Sequence, residues 1–214
     1  MSETKKAQAV KRGKKPRPAR ALLLAPGAGS DRNNPLLIAM DNAVGLPCER
    51  MDFPYRQAGR RAPDRAPVLI ASVREHAAQL VAHTKIDASD LVLGGRSMGG
   101  RMCSMAVAEG LPARALVLIC YPLHPPGRPD KLRVEHFPNV RVPCLFVSGT
   151  SDAFGTPDEM LAHTAAIAGP VTHVWIEGAD HSLARRDAVV SAAVADWMAS
   201  LGLISSSSRR AVSG

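Results

Sequence analysis

The chain has no apolar run that approaches the roughly 18 residues of a membrane-spanning helix. It has no secretory leader pattern either. A basic start is followed only by Ala21–Ala25 and then Pro26-Gly27, too short an apolar stretch for a signal peptide. Its four cysteines, Cys48, Cys103, Cys120 and Cys144, include no C-x-x-C pair. Wide spacing without histidine partners argues against a metal site. Three of the four lie in or beside apolar runs, as buried free thiols do in a reducing compartment. The expectation is a cytoplasmic protein with no membrane segment, no metal and no cofactor.

Internal repeats are absent, and so is any strong charge on the body of the chain. The net charge of +8 comes from the ends. Residues 1–20 hold eight Lys/Arg against Glu3, and residues 203–214 add Arg209 and Arg210. Residues 21–202 carry 17 basic and 18 acidic side chains. Residues 1–20 are read as a basic disordered tail and 203–214 as a flexible one, with a single domain over 21–202. A basic arm can touch nucleic acid or an acidic partner, but without aromatics or apolar periodicity a solvating extension is the favoured reading.

Short apolar runs alternate with helical patterns. Strands are predicted at Ala21–Ala25, Cys48–Phe53, 91–95, Ala115–Tyr121, Pro143–Gly149 and Val171–Ile176. Helices are predicted at 34–45, 66–84, 98–109 and 157–168. A closing helix carries Val190, Val194, Trp197, Met198 and Leu201 on one face. Alternation of this kind makes an α/β domain: a mostly parallel sheet of about six strands with helices on both faces. The span 122–142, rich in proline and charge, is the least regular.

Two glycine-rich turns need a reading. Gly27-Ala28-Gly29-Ser30-Asp31-Arg32 begins like a dinucleotide loop, but Arg32 stands where the third glycine belongs. Gly94-Gly95-Arg96-Ser97-Met98-Gly99-Gly100-Arg101 lacks the Lys-Ser/Thr of a phosphate loop. It does contain G-x-S-x-G, between the apolar Leu91-Val92-Leu93 and a helix starting near Met98. In that context the serine sits on a sharp strand-to-helix turn with its hydroxyl exposed. Gly95 and Gly99 leave room for neighbouring backbones.

A serine hydroxyl needs a base, and the base needs an orienting group. Asp152 follows the strand ending at Gly149, and His181 follows the last strand. Both therefore share the strand C-terminal edge with Ser97, where sites form in parallel sheets. Asp180 adjoins His181, and loop neighbours rarely face each other, so Asp152 is the better acid. Asp158 and Glu159 suit the start of a helix. The oxyanion donors expected are the N–H groups of Met98 and of Ala28, with Gly29 next. His124 and Arg96 are candidate substrate contacts. Arg101 opposes its helix dipole, so a structural carboxylate partner is expected, with an anionic part of the substrate as the alternative.

These segments resemble the α/β-hydrolase superfamily. More narrowly, the chain is similar to the hydrolase-like family of testis-expressed protein 30 and the third regulatory subunit of the non-specific-lethal complex. The similarity rests on Ala25–Gly29, Phe53-Pro54-Tyr55, Gly94–Arg101, Tyr121-Pro122-Leu123-His124-Pro125, Ser148–Gly155 and Asp180-His181. It implies an α/β-hydrolase fold and assigns Ser97, Asp152 and His181 as triad positions. The span between the fourth and fifth strands is short, so a minimal lid or none is expected. A small serine hydrolase of short esters or thioesters follows. A non-catalytic interaction module with a basic arm is the second reading, because the resemblance includes apparent scaffold components.

Overall fold

The computed structural model describes residues 18–205. The chain alternates β1 (Ala21–Ala25), α1 (Pro35–Val44), β2 (Cys48–Arg50), α2 (Pro54–Gln57), α3 (Ala66–Thr84), β3 (Leu91–Arg96), α4 (Met98–Ala108), β4 (Ala115–Ile119), β5 (Cys144–Gly149), α5 (Pro157–Thr164), β6 (Val171–Ile176) and α6 (Asp187–Ser200). The strands form one sheet in the order β2-β1-β3-β4-β5-β6, every pair parallel. The order reverses beside β1, because β2 lies on one side and β3 on the other.

Burial explains the strand sequences. β1 and β4 are wholly buried and uniformly apolar, as strands covered on both faces are. One core joins the sheet to α3, α4 and α5 through Leu69, Val73, Met102, Ala106 and Met160. The other joins it to α1 and α6 through Leu37, Met40, Val190, Val194 and Met198. Helix starts follow from local chemistry. Asn34 accepts the Leu36 N–H ahead of Pro35, and Thr156 and Glu159 form a reciprocal capping box around Pro157.

Several predicted boundaries shift. The second strand ends at Arg50 rather than Phe53, because Pro54 opens the short helix α2, which the sequence reading did not anticipate. The fourth strand stops at Ile119, where Cys120 turns to φ 47°. Helix α5 ends at Thr164, not 168. The termini of the domain also reach further than 21–202. Ala19, Leu203 and Ile204 are buried, and the Ala19 N–H donates to the Leu203 carbonyl at 2.8 Å. Most of the basic arm and of the C-terminal tail lies outside the described residues.

Between β4 and β5 the chain folds down rather than forming a helical lid. Its only regular piece is a 3₁₀ turn at Phe137–Asn139, and Leu123, Phe137 and Val140 are buried in the core. No helix among the described residues is long and apolar enough to cross a membrane. The four cysteines are free, and burial pushes the thiols of Cys103, Cys120 and Cys144 up to about 12.

Candidate active site

The reversal of strand order brings the turn after β1 beside the turn after β3, the position where open parallel sheets form crevices. Ser97 occupies the second turn at φ 50°, ψ −117°. That conformation is strained for any residue with a side chain. It is enforced by backbone crowding: a Cβ on Gly95 would meet the Ala25 carbonyl oxygen at 2.4 Å, and one on Gly99 would meet it at 2.2 Å. Neither position tolerates a side chain, so β1, β3 and α4 pack backbone to backbone and Ser97 stands out of the turn.

Two later strand ends supply the partners. His181 Nε2 lies 2.9 Å from Ser97 Oγ, and its Nδ1 lies 2.8 Å from Asp152 Oδ2. Asp152 is buried, and its Oδ1 also accepts the Phe154 N–H at 2.8 Å. A carboxylate that is acceptor-only fixes Nδ1 as the protonated nitrogen. Nε2 is then free to accept the serine proton.

The loops carrying Asp152 and His181 are tied to each other. Ser151 N–H donates to the Ala179 carbonyl at 2.9 Å, and Gly178 N–H donates to Thr150 Oγ1 at 2.9 Å. A Cβ on Gly149 would meet the Ala179 oxygen at 2.1 Å. Asp180 plays a local part: its carboxylate accepts the Ser182 N–H and hydroxyl, bonds that hold its carboxyl below the ordinary range.

Ala28, Gly29, Met98 and Phe154 line the same cleft as Ser97 and His181, about 440 Å³ in volume. Met98 is the first residue of α4, so its N–H has no intrahelical acceptor. The N–H groups of Ala28 and Gly29 have no acceptor among the described residues. The buried Tyr55 donates its hydroxyl to the Ala28 carbonyl at 2.7 Å and so pins this turn.

Two expectations meet different placements. His124 is buried and is not part of the cleft wall. Its Nδ1–H donates to the Pro125 carbonyl at 2.8 Å, its Nε2 faces Glu159 at 3.5 Å, and its backbone N–H donates to the Phe154 carbonyl at 3.1 Å. It therefore braces the Asp152 turn from behind. Arg101 has no carboxylate partner among the described residues, and its buried Nε has no hydrogen-bond partner. Its neighbours are Arg133 and His136, brought there by the descending loop. Arg96 does line the cleft, but one nitrogen is spent on the His181 carbonyl at 2.8 Å.

Tyr55, Phe154 and Arg133 were not singled out from the sequence. The first two lie inside the segments Phe53-Pro54-Tyr55 and Ser148–Gly155, which was the available signal. Arg133 carried none.

One group of metal-ligating side chains occurs among the described residues: Cys120, Asp152 and His181, with ligand atoms within 4.8 Å. The carboxylate and imidazole are already bonded to each other, and burial keeps the thiol protonated. A neutral thiol is a poor metal ligand.

Residues 18–201 match the alpha/beta hydrolase domain family, and the chain belongs to it. Solved structures share the fold at low identity. An alpha-beta serine hydrolase homologue from Coxiella burnetii is 18% identical, with 85% of this chain and 88% of that one covered at a TM-score of 0.68. A dienelactone hydrolase from Anabaena variabilis is 20% identical, with 86% and 87% covered and a TM-score of 0.68. The esterase domain of a Rhodothermus marinus protein is 18% identical, with 85% and 87% covered and a TM-score of 0.64.

Proposed function

We propose that this protein is a serine hydrolase that cleaves short-chain esters or thioesters through an acyl-enzyme. The observation that carries the reading is the hydrogen-bonded chain Ser97–His181–Asp152, with Ser97 on a strained elbow at the mouth of a cleft. Ser97 Oγ attacks the substrate carbonyl while His181 Nε2 takes its proton. Asp152 holds the tautomer and stabilises the imidazolium. The N–H groups of Met98 and Ala28, with Gly29 as the alternative donor, face the developing oxyanion. His181 then returns the proton to the leaving alcohol or thiol, and water hydrolyses the acyl-enzyme by the same steps in reverse roles.

The size of the cleft supports small acyl groups, since it sits at the low end of ligand pockets. The neighbours described as a serine hydrolase homologue, a dienelactone hydrolase and an esterase domain support the reaction class. The same reading includes the narrower kinship with the testis-expressed protein 30 and non-specific-lethal subunit group, supported by Tyr121–Pro125 and Ser148–Gly155. Its free buried thiols fit a cytoplasmic protein. Residues 1–20 act as a solvating arm; binding of nucleic acid that weakens steeply with salt and vanishes on their removal would reverse that part.

The deciding experiment is labelling with a fluorophosphonate probe, wild type beside Ser97→Ala. Labelling of the wild type alone is the expected result. Labelling of neither protein moves the assignment to the interaction module.

A further inference from the structure

Three arginines and no carboxylate line the cleft that holds Ser97: Arg96, Arg101 and Arg133. Arg96 is partly used by the His181 and Ser182 carbonyls. No carboxylate among the described residues pairs with the other two. Arg101 Nε is buried without a hydrogen-bond partner, and neither guanidinium forms an ion pair among the described residues.

The two cations line one cleft and lie close enough for one to act on the other. Burial and the charge of Arg101 both lower the Arg133 guanidinium from its ordinary value. The same pair of causes holds the nearby His136 neutral. Glu135, the acid that acts on this cluster, is exposed and does not reach either guanidinium to form an ion pair.

The fold nevertheless fixes the backbone of both arginines. The Arg133 backbone is clamped at both ends, its N–H on the Leu123 carbonyl at 2.9 Å and its carbonyl under the Tyr121 hydroxyl at 2.6 Å. The Arg101 carbonyl accepts the Ser104 hydroxyl at 2.8 Å, and Ser104 in turn meets His136 Nε2 at 2.7 Å. Holding two half-buried cations together without a counter-charge costs stability. A carboxylate between them relieves the repulsion and accepts the forked N–H groups.

We propose that Arg101 and Arg133 form a carboxylate subsite beside the nucleophile, so that the substrate is an ester or thioester carrying a carboxylate close to the scissile carbonyl. This rests on the hydrolase reading above for its reaction, but the subsite itself can be tested without turnover. Arg101 lies one helical turn beyond Met98, and Arg133 reaches the same cleft from the loop after β4. A carboxylate held there leaves the ester carbonyl beside Ser97. The reaction adds water across the ester bond. It releases an alcohol or thiol and a dicarboxylate when the charge is on the acyl side, or a hydroxy or mercapto acid and a monocarboxylate when it is on the other side, with one proton in either case.

The test compares three esters in a pH-stat: monoethyl glutarate, butanoyl glycolate and the neutral ethyl pentanoate. Either charged ester should exceed the neutral one in kcat/KM by about 10- to 100-fold, the range of charge-assisted hydrogen bonds. In Arg101→Gln and Arg133→Gln that ratio should collapse toward one. Equal turnover of all three esters by the wild type, or a ratio that survives both substitutions, overturns the subsite.

Calorimetric titration of Ser97→Ala with glutarate separates the two readings. Glutarate binding that weakens in Ser97→Ala/Arg133→Lys, where the charge remains but the fork is lost, supports the subsite even without hydrolysis. Hydrolysis of the neutral ester with no glutarate binding overturns the subsite and leaves the hydrolase reading standing. Inorganic phosphate binding in place of glutarate overturns the carboxylate assignment.

Discussion

The Phe154 ring stacks on the His181 imidazole, with 3.9 Å between ring centroids and 26° between planes. The same residue donates its backbone N–H to Asp152 Oδ1 at 2.8 Å. One residue therefore orients both the base and its carboxylate. Phe154→Ala keeps the backbone bond and removes the ring. It is expected to lower kcat/KM by about tenfold, the size of one aromatic contact of up to about 1.5 kcal/mol. The rate of fluorophosphonate labelling should slow by a similar factor, which loss of a substrate contact alone would not cause.

Ser97 holds a backbone conformation that glycine adopts without strain. Ser97→Gly is expected to abolish ester turnover and to raise stability by about 1–2 kcal/mol. Chemical denaturation of the two proteins measures the difference. A less stable variant would mean that the elbow stores no strain.

Tyr55→Phe deletes the single hydroxyl that pins the Ala28 carbonyl. The turn bearing the Ala28 and Gly29 N–H groups should loosen, with little change at the rest of the cleft. The expected outcome is a fall in kcat of about tenfold with KM nearly constant, because oxyanion donors act on the transition state and not on the bound ester. Steady-state kinetics on a neutral ester reads this directly.

Gly149→Ala places a methyl group against the Ala179 carbonyl oxygen, 2.1 Å from the ideal Cβ position. The oxygen belongs to backbone and the methyl carbon is bonded directly to Cα, so neither can swing aside. Destabilisation of at least 1–3 kcal/mol is expected, with a larger loss of turnover, because the two loops that must separate carry Asp152 and His181. Thermal unfolding and kcat measured on one preparation check the pair of effects.

His136 is held neutral by burial, first, and by the Arg101 charge; its pKa is lowered to about 4, with Glu135 acting in the opposite direction. The unfolded chain binds that proton near pH 6.5 and the folded chain does not. Stability should therefore decline as pH falls from about 6.5 to 4, by about 1–2 kcal/mol between pH 7 and pH 5 from this residue. His136→Gln, whose amide can still reach Ser104, should flatten that part of the profile in urea denaturation. An unchanged slope would place the acid sensitivity elsewhere.

Local patterns carried much of the fold and part of the site. The apolar run at 115–121 announced a centrally buried strand, Leu91-Val92-Leu93 announced the strand before the elbow, and Gly95, Ser97 and Gly99 announced the turn between strand and helix. The choice of Asp152 over Asp180 rested on a short-range argument, that loop neighbours seldom face each other; in the fold Asp152 bonds to His181 Nδ1 and Asp180 accepts from Ser182. Arg101 was the instructive failure. A cation in a first helical turn calls for a counter-charge, and the sequence pattern says nothing of which loop comes to meet it. The loop that arrives brings Arg133 and His136.

The sequence by itself determined an alternating α/β domain, a serine between crowded glycines, and an aspartate and a histidine at later strand ends. Those properties depend on periodicity and on steric demands within a few residues. Only the tertiary structure decided that Phe154 lies on His181, that Tyr55 holds the Ala28 turn, that His124 braces from behind, and that Arg133 joins Arg101 and Arg96 in a cleft without an acid. Each is a contact between segments far apart in the chain. The strand order and the descent of the 122–142 loop select such contacts, and no local spacing encodes them.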